Sequence, residues 1–382
     1  MSNKITGTIE TKPLNDFIKK AGYIKDRFRK KIIFIKYKVG DSRFLLTNGD
    51  VYLYSKETGI DCKEEFELAL GYTRLKSLCR YANKEIIRFE IEDNDTLSVK
   101  LITFALKGVN ISIEHVIDYS YKDFQIPKKR KKLFEIDKKK FFDFLDVVAH
   151  ARSNETNRFN INGFLLKLSN QNITAVATNG YKLALNKITD VKIKENKDTF
   201  MPAIDSYKNV LCEGIIHFYS IDEKQILLTD EINTYGFIMK HEGTASFPKY
   251  ESVTFEDRNT FIKVNKNELY NAFKIIKDFH EETERDTNKT FRIYFKEECI
   301  QFKTKYAEVD INCEYSDKKL GAEGRSLLFG IQIISGFEKL TSDVITLFFE
   351  KWPNEYNQIL IQGGVEDFMY FMPANDYENR EK

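Results

Sequence analysis

The stretch IDKKKFFDFLDVVAHA, residues 136–151, decides the fold because related stretches occur twice more along the chain. They are IETKPLNDFIKKAGYI from Ile9 and VNKNELYNAFKIIKDF from Val264. Each starts with a β-type residue and continues into apolar residues spaced i, i+3, i+4, which form one buried stripe of an amphipathic helix. Three such starts at even spacing predict one unit of about 128 residues, written three times.

A second helix and a strand recur in phase within each repeat. The predicted helices are YTRLKSLCRYA (72–82), AIDSYKNVLCEG (203–214) and GIQIISGFEKL (330–340). The alternating strands that follow them contain Ile87, Ile216 and Ile345. Short turns between strands favour antiparallel pairing, so we predict an α+β fold with two helices of each repeat packed on antiparallel sheets. The predicted domains are residues 1–129, 130–255 and 256–382.

Composition narrows the protein class. The 382 residues carry 60 Lys and Arg against 58 Asp and Glu, so any contact with nucleic acid must come from local segregation of charge. Five scattered cysteines without a CxxC pair predict reduced thiols rather than disulfides or a zinc site. The chain starts without a signal-peptide pattern, and no apolar run approaches the ~18 residues that span a bilayer. We therefore expect a cytoplasmic protein without membrane contact.

The sequence shows no catalytic set. The histidines lie in five separate contexts without metal-ligand spacing, and neither a Walker loop nor GxSxG occurs. The acidic run at 281–284 follows a predicted helix and is interpreted as a solvated loop. We therefore predict no catalytic residue, no metal and no cofactor.

Four motifs fall at characteristic places in the repeats. The middle repeat contains ATNGYKLA at 177–184, a strand, a tight Asn-Gly turn and a second strand, and the first repeat has its own Thr-Asn-Gly at 47–49. The middle repeat also contains INGFLL at 161–166 and closes with FPKY at 247–250. The last predicted strand ends in Met372-Pro373.

Together with the triple repeat, these motifs resemble the bacterial DNA polymerase III β subunit family, the sliding clamps, over essentially the whole chain. The resemblance implies a head-to-tail homodimer whose six repeats close into a ring around duplex DNA. It implies a non-catalytic processivity factor that binds short apolar peptides of DNA polymerase and clamp-loader subunits.

The resemblance also implies that the paired helices face DNA. Cations there would hold phosphates through salt-sensitive contacts without reading bases. The helix candidates are Lys19, Lys20, Arg74, Lys76, Arg80, Lys138, Lys139, Lys208, Lys274 and Lys277, with Lys140 and Lys339 in equivalent regions. The loop candidates are Arg27, Arg29, Arg152, Arg158 and Phe159. A solvated helix face is the alternative interpretation for each single lysine.

A peptide pocket between the middle and last repeats is the second implied site. Its expected lining is Ile161, Thr178, Gly180, Tyr181, Lys182, Leu183, Pro248, Val253, Tyr370, Met372 and Pro373. Ordinary packing between domains is the alternative for these residues. Ala374, Asn375 and Asp376 depart from the family pattern after Met-Pro, so the peptide preference is expected to differ.

Two other functions stay open at this point. A clamp-like module that does not close on DNA would be a monomer that binds partner peptides. A metal-dependent nuclease would need carboxylates brought together from different repeats.

Overall fold

A strand runs directly into a helix at each of the three predicted repeat starts in the computed structural model. The first residues of these helices are Thr11, Lys138 and Lys266, and each follows the last residue of a strand without an intervening loop. The structure describes residues 4–24, 31–47, 51–82, 86–94, 99–106, 109–115, 129–155, 158, 160–180, 182–203, 207–232, 234–240, 244, 247–253, 259–281, 290–304, 307–316, 326–330, 342–349, 357–363 and 369–374.

Five helices lie among the described residues. They are α1 (Thr11–Gly22), α2 (Tyr72–Ala82), α3 (Lys138–Val148), α4 (Tyr207–Val210) and α5 (Lys266–Glu281), with 3-10 turns at Ala149–Ala151 and Tyr250–Val253. The predicted helix 72–82 is confirmed as α2. The predicted helix 203–214 is wrong in extent, since α4 is a single turn, and residues 331–340 of the third predicted helix lie outside the described residues.

The strands of the first third form one antiparallel sheet of five strands and contribute to a second. They are β1 (Lys4–Glu10), β2 (Ile32–Tyr37), β3 (Arg43–Thr47), β4 (Val51–Ser55), β5 (Ile60–Cys62), β6 (Phe66–Gly71), β7 (Ile86–Asn94), β8 (Val99–Leu106) and β9 (Val109–Glu114). The five-stranded order is β5-β1-β7-β8-β9.

The strands of the middle third divide between two sheets. They are β10 (Lys131–Asp137), β11 (Gly163–Ser169), β12 (Asn172–Thr178), β13 (Leu183–Ile188), β14 (Lys192–Ile193), β15 (Asp198–Pro202), β16 (Ile215–Ser220), β17 (Gln225–Asp230) and β18 (Tyr235–Lys240). A nine-stranded sheet has the order β14-β10-β16-β17-β18-β4-β3-β2-β6, so that β18 joins the middle third to the first.

The last third completes a twelve-stranded sheet. Its strands are β19 (Phe261–Asn265), β20 (Thr290–Phe295), β21 (Cys299–Lys303), β22 (Glu308–Tyr315), β23 (Ser326–Gly330), β24 (Val344–Phe349), β25 (Asn357–Gln362) and β26 (Met369–Ala374). The order is β15-β11-β12-β13-β26-β25-β24-β19-β22-β21-β20-β23, so that β13 joins β26.

In each repeat, the same two marker residues of the sequence pattern lie opposite each other in a pair of strands. Each residue that starts a repeat stretch lies opposite the isoleucine of the strand after the second predicted helix. The pairs are Ile9 with Ile87, Ile136 with Ile216, and Val264 with Ile345. The α+β, antiparallel fold class is therefore confirmed, and the periodicity reflects an equivalent strand pair in each repeat.

The first long helix of each repeat buries an aromatic side chain against the sheet. Phe17 of α1 contacts Phe44, Phe141 of α3 contacts Phe134, and Phe273 of α5 contacts Phe302, with ring centroids 5.5, 5.7 and 5.1 Å apart. These are the apolar positions of the predicted helical stripe, and each such pair adds about 0.5–1.5 kcal/mol beyond the buried area.

By contacts the chain divides into two compact units. Unit 1 comprises Met1–Phe141, Lys192–Glu195 and Met201–Glu242, and unit 2 comprises Phe142–Val191, Asn196–Phe200 and Gly243–Lys382. The middle third is thus divided between the two units, because its strands β10, β16, β17 and β18 continue the sheet of the first third. In the part of the chain that the structure describes, no helix is long and apolar enough to cross a membrane.

Candidate DNA interface and partner pocket

Helix α2 of unit 1 exposes three cationic side chains and no acidic one. It buries Leu75 and Leu78 on one face, and Arg74, Lys76 and Arg80 are exposed on the rest of the helix. Its sequence, YTRLKSLCRYA, contains no acidic residue. Exposed cations with no carboxylate on the same helix can bind phosphates, and this geometry fits the hypothesis from the sequence.

Helix α1 presents its two neighbouring lysines differently. Lys19 is exposed, whereas Lys20 is half-buried with its Nζ 3.2 Å from the centre of the Tyr235 ring. Burial lowers the pKa of Lys20, although nearby Cys212, Asp230 and Asp16 oppose that shift. A cation over an aromatic face contributes about 0.5–2 kcal/mol, so Lys20 holds α1 against the β17–β18 hairpin inside unit 1.

Lys138, at the first position of α3, does not fit the DNA-facing hypothesis. Its side chain is buried, and its Nζ donates to the Leu211 carbonyl oxygen at 3.0 Å and to Glu213 Oε1 at 2.6 Å. A lysine buried in this way is retained by its partners and cannot reach a phosphate. We therefore remove Lys138 from the candidate set.

The two following lysines of α3 are exposed. The Asp137 carboxylate caps the helix by accepting from the backbone N–H of Lys140 at 2.9 Å, and the side chains of Lys139 and Lys140 are exposed. Lys208 of α4 is exposed as well, although α4 is too short to present a helical face.

In unit 2, α5 exposes Lys274 and Lys277. Unlike α2, this helix also carries acidic side chains, which offset part of its positive charge. Two apolar side chains of α5, Ile275 and Phe279, are exposed as well. Arg27, Arg29, Phe159 and Lys339 lie outside the described residues, and the structure does not test them.

The Thr-Asn-Gly turn of unit 2 is held by its own polar groups. The Thr178 hydroxyl donates to the Lys182 carbonyl oxygen at 2.7 Å and accepts from the Gly180 N–H at 3.1 Å. The Asn179 side chain accepts from the Lys182 N–H at 3.0 Å. Gly180 has φ +93, which explains glycine here. Tyr181 lies outside the described residues.

The strand after this turn pairs with the C-terminal strand. In the β13–β26 ladder, Leu183 lies opposite Phe371, and Leu185 lies opposite Met369. The backbone of Tyr370, Met372 and Pro373 is therefore part of the strand next to the turn. The structure thus brings together, within unit 2, two motifs that lie far apart in sequence.

The FPKY motif covers one face of this sheet. Phe247 and Tyr250 are buried in a cluster with Leu183, whose exposed fraction is 3%. Pro248 is exposed, and Val253 ends the 3-10 turn that follows. Lys167 anchors the segment through its 3.0 Å ion pair with Glu251. Leu183 therefore supports the fold of unit 2, so its removal would not be a clean test of binding.

Arg158 lies at the turn rather than on a helix face. Its guanidinium donates from Nη1 to the Asn179 carbonyl oxygen at 3.3 Å and pairs through Nε with Glu155 at 3.0 Å. Ile161, buried, follows in the same loop. The resemblance implies that Arg158 contacts DNA, whereas its guanidinium lies beside the Thr-Asn-Gly turn in the structure, so its role stays a prediction. Sequence spacing alone could not distinguish these two places.

Arg152 is half-buried at the start of the same loop. Its Nη1 donates to Asn162 Oδ1 at 3.4 Å, a long and weak hydrogen bond. Nothing in these contacts assigns Arg152 to either candidate site.

Sequence reasoning missed His150, which lies in the 3-10 turn after α3. Burial, and secondarily the charge of Lys182, lowers the pKa of His150 to about 3, so its ring is neutral at pH 7. Burial also lowers the pKa of Lys182 to about 8. The only sequence signal was the AHA triplet after a helix, which has no functional meaning by itself.

A metal site is not seen among the described residues, because no three His, Cys, Asp or Glu side chains converge there. Glu281 ends α5, and the rest of the acidic run at 282–284 lies outside the described residues.

Comparison with solved structures shows which proteins share this fold. The DNA polymerase III β subunit of Thermotoga maritima matches with a TM-score of 0.75 and 16% identity over 97% of this chain and 99% of that one. The sliding clamp of Bacillus subtilis gives 0.77 and 14%, and the β sliding clamp of C. crescentus, solved with PEG bound, gives 0.78 and 13%; both cover 98% of this chain and 100% of theirs. No family model and no curated protein matches the sequence. The chain therefore has the sliding-clamp fold from end to end.

Proposed function

We propose that the chain is a DNA polymerase processivity factor, a divergent member of the sliding-clamp family that encircles duplex DNA and acts without catalysis. The observation that carries the proposal is the fold match, which spans 97–98% of this chain and 99–100% of the three clamps. A fold alone does not determine function, so the proposal also rests on the exposed cations of the helices. It includes a cytoplasmic location.

The proposal keeps three domains at 1–129, 130–255 and 256–382. Each contains the same strand–helix start and the same pairing of landmark residues. The division into two compact units follows from sheets that run through the domain boundaries, and it is compatible with three repeats in sequence.

For DNA contact we propose the exposed helix cations, and α2 as the strongest contributor. Arg74, Lys76 and Arg80 contribute three positive charges without a compensating acid on that helix. Each neutralised phosphate releases about 0.9 counterion, so these contacts weaken steeply with salt and do not depend on base sequence. Such contacts permit sliding.

We propose a head-to-tail homodimer that joins the first domain of one chain to the third domain of the other. Two observations support it. Ile275 and Phe279, one turn apart on α5, are 39% and 48% exposed, an apolar stripe that a partner would cover. In the order of described strands, β9 ends one sheet and β23 ends another, so both offer an edge to a second chain.

We propose that the surroundings of the turn at 178–182 bind apolar peptide segments of DNA polymerase and clamp-loader subunits. Support comes from the β13–β26 pairing, which joins the turn strand to the C-terminal strand, and from the apolar cluster of Leu183, Phe247 and Tyr250 next to it. Apolar walls with a few polar groups are typical of peptide grooves.

The decisive experiment measures topological retention. The protein is loaded on a nicked circular plasmid with a clamp loader and ATP, isolated by gel filtration, and the circle is then cut once. A ring must stay on the intact circle and leave the linear product through its ends. Equal retention on both forms would contradict the encircling mechanism. The same samples, incubated with magnesium, test for nuclease activity.

Light scattering separates the closed clamp from the alternative module. A clamp has twice the chain mass in solution, whereas a peptide-binding module that does not close has the mass of one chain. The altered residues after Met372-Pro373 favour neither result, because they lie beside the pocket motif and not on α5.

A further inference from the structure

The exposed face of α2 carries an aromatic side chain among its cations. Tyr81, in the last turn of the helix, is 74% exposed, more than any other aromatic side chain that the structure describes. Residues 74, 77 and 81 follow each other at i, i+3 and i+7, so Arg74, Ser77 and Tyr81 lie along one line of the helix surface. Arg80, next to Tyr81, is exposed too. The same surface therefore offers an aromatic ring and positive charge.

The fold of unit 1 does not depend on the Tyr81 ring. The helix is anchored by the four side chains that it buries. The other tyrosine of α2, Tyr72, is half-buried, and the Nζ atoms of Lys31 and Lys76 lie 5.0 and 5.7 Å from the centre of its ring. Tyr72 thus makes contacts within unit 1, whereas the Tyr81 ring is presented to solvent.

An aromatic ring beside cations suits one form of nucleic acid better than the other. Arg74 and Arg80 can bind the phosphates of any DNA, because such contacts do not read bases. A side chain reaches the flat face of a base only where the nucleotide is unpaired, since the bases of a duplex cover each other and show only their edges in the grooves. Arg74 and Tyr81 are about 10 Å apart along the helix axis, so both can contact one short stretch of strand.

We propose that Tyr81 stacks on an unpaired base, so that α2 binds single-stranded DNA more tightly than its cations alone would. The inference rests on the proposed DNA contact of α2 and adds a second class of ligand at the same helix. Charge complementarity favours a nucleic acid as the ligand, because α2 contains three exposed cations and no acidic residue. A duplex meets only the cations, and the ring therefore discriminates between the two forms of DNA.

The test compares two short oligonucleotides with the same backbone and the same terminal fluorophore. One is a thymidine oligomer, and in the other every nucleoside is replaced by an abasic one, so that the phosphates stay and the bases are lost. We expect the full-length wild-type protein to bind the thymidine oligomer at least about fivefold more tightly at low salt, the lower end of what one base stacked on an aromatic ring contributes. Fluorescence anisotropy measures both dissociation constants.

Three variants show whether the ring is the cause of this preference. Tyr81→Leu should bring the ratio of the two dissociation constants close to one, whereas Tyr81→Phe keeps an aromatic ring and should keep the ratio. Residue 81 is exposed, so both variants are expected to fold. Arg80→Gln should weaken the binding of both oligomers and lower the slope of log K against log salt by about 0.7, with the ratio unchanged.

The outcomes separate this proposal from the DNA contact on which it rests. Equal binding of the two oligomers by the wild-type protein, with a lower salt slope in Arg80→Gln, overturns the stacking of Tyr81 and leaves the phosphate contacts of α2 standing. A base preference that Tyr81→Leu retains overturns the stacking as well, and makes Tyr81 a candidate contact for a protein partner instead. Binding of neither oligomer at low salt overturns both proposals.

Discussion

Lys138 and Lys139 are neighbours in sequence with opposite surroundings. Lys138 is held by Leu211 and Glu213 inside unit 1, and Lys139 extends into solvent. The first turn of α3 rotates each residue by about 100°, so adjacent lysines must face different ways. A run of three lysines therefore contains both a buried structural cation and exposed ones.

We expect the substitutions Lys138→Met and Lys139→Met to separate these roles. Lys138→Met should lower the free energy of unfolding by about 1–2 kcal/mol, because the Leu211 carbonyl loses its donor. It should leave the salt dependence of binding to a short duplex unchanged. Lys139→Met should reduce the slope of log K against log salt by about 1 at unchanged stability. Fluorescence anisotropy measures the salt dependence of binding, and urea unfolding measures stability. If Lys139→Met lowers the stability and Lys138→Met reduces the salt slope, the assignment is contradicted.

Through His150, the stability of unit 2 should depend on pH. Its pKa is lowered from 6.5 to about 3 on folding, so the unfolded chain binds a proton below pH 6.5 that the folded chain does not. Stability is then lost as the pH falls from 6.5 towards 3. From pH 6.5 to 4.5 this loss is about 2 kcal/mol, and His150→Leu should remove it.

The measurement compares urea unfolding of wild-type protein and His150→Leu at pH 8 and pH 4.5. Packing differences between His and Leu contribute at both pH values and cancel in the comparison. If both proteins lose the same stability on acidification, His150 is not the titrating group.

At the scale of elements, the join between β18 and β4 depends on one glycine. Gly236 lies opposite Tyr54 across the two strands, and a Cβ on Gly236 would overlap the Tyr54 ring. Tyr54 is completely buried and cannot move aside. This is where the sheet of the first third continues into the middle third.

Gly236→Ala should destabilise unit 1 by about 1–3 kcal/mol, the usual cost of overpacking a core. Gly71→Ala on β6 is the matched control, because a Cβ there meets no heavy atom within 4 Å. It should change stability by no more than about 0.5 kcal/mol. Urea unfolding followed by circular dichroism compares them, and equal effects would show that the Tyr54 contact is unimportant.

The elements also show what sequence patterns can and cannot predict. The repeat period and α2 were predictable because apolar stripes and alternating strands are local signals. Helix α4 was predicted too long, and its first residue, Tyr207, is held by contacts that the sequence pattern does not show: its hydroxyl bond to the Pro202 carbonyl oxygen and its packing on Phe237. The β18–β4 and β13–β26 ladders join distant segments, and no local pattern encodes such pairs. For the same reason the sequence did not predict that Arg158 contacts Asn179 at the turn.

For the whole molecule, assembly is the property that gives a clamp its function. We expect Ile275→Asp combined with Phe279→Asp to reduce the mass by half, because two charges would enter the proposed apolar interface. Val39→Asp, which changes a 75% exposed apolar residue of unit 1, is the control and should leave the mass unchanged. Light scattering measures both. An unchanged mass in the double variant, at wild-type stability, would exclude α5 from the interface.

The pairing of β13 with β26 also has a consequence for biosynthesis. A ribosome makes β13 long before β26, because the rest of the middle repeat and most of the last repeat lie between them. Until residue 374 has left the exit tunnel, β13 has an open edge that another nascent chain could pair with. The five-stranded sheet, built only from β1, β5, β7, β8 and β9, can close while the ribosome is still translating the middle third. During synthesis β13 therefore keeps an unpaired edge for longer than any strand of the five-stranded sheet.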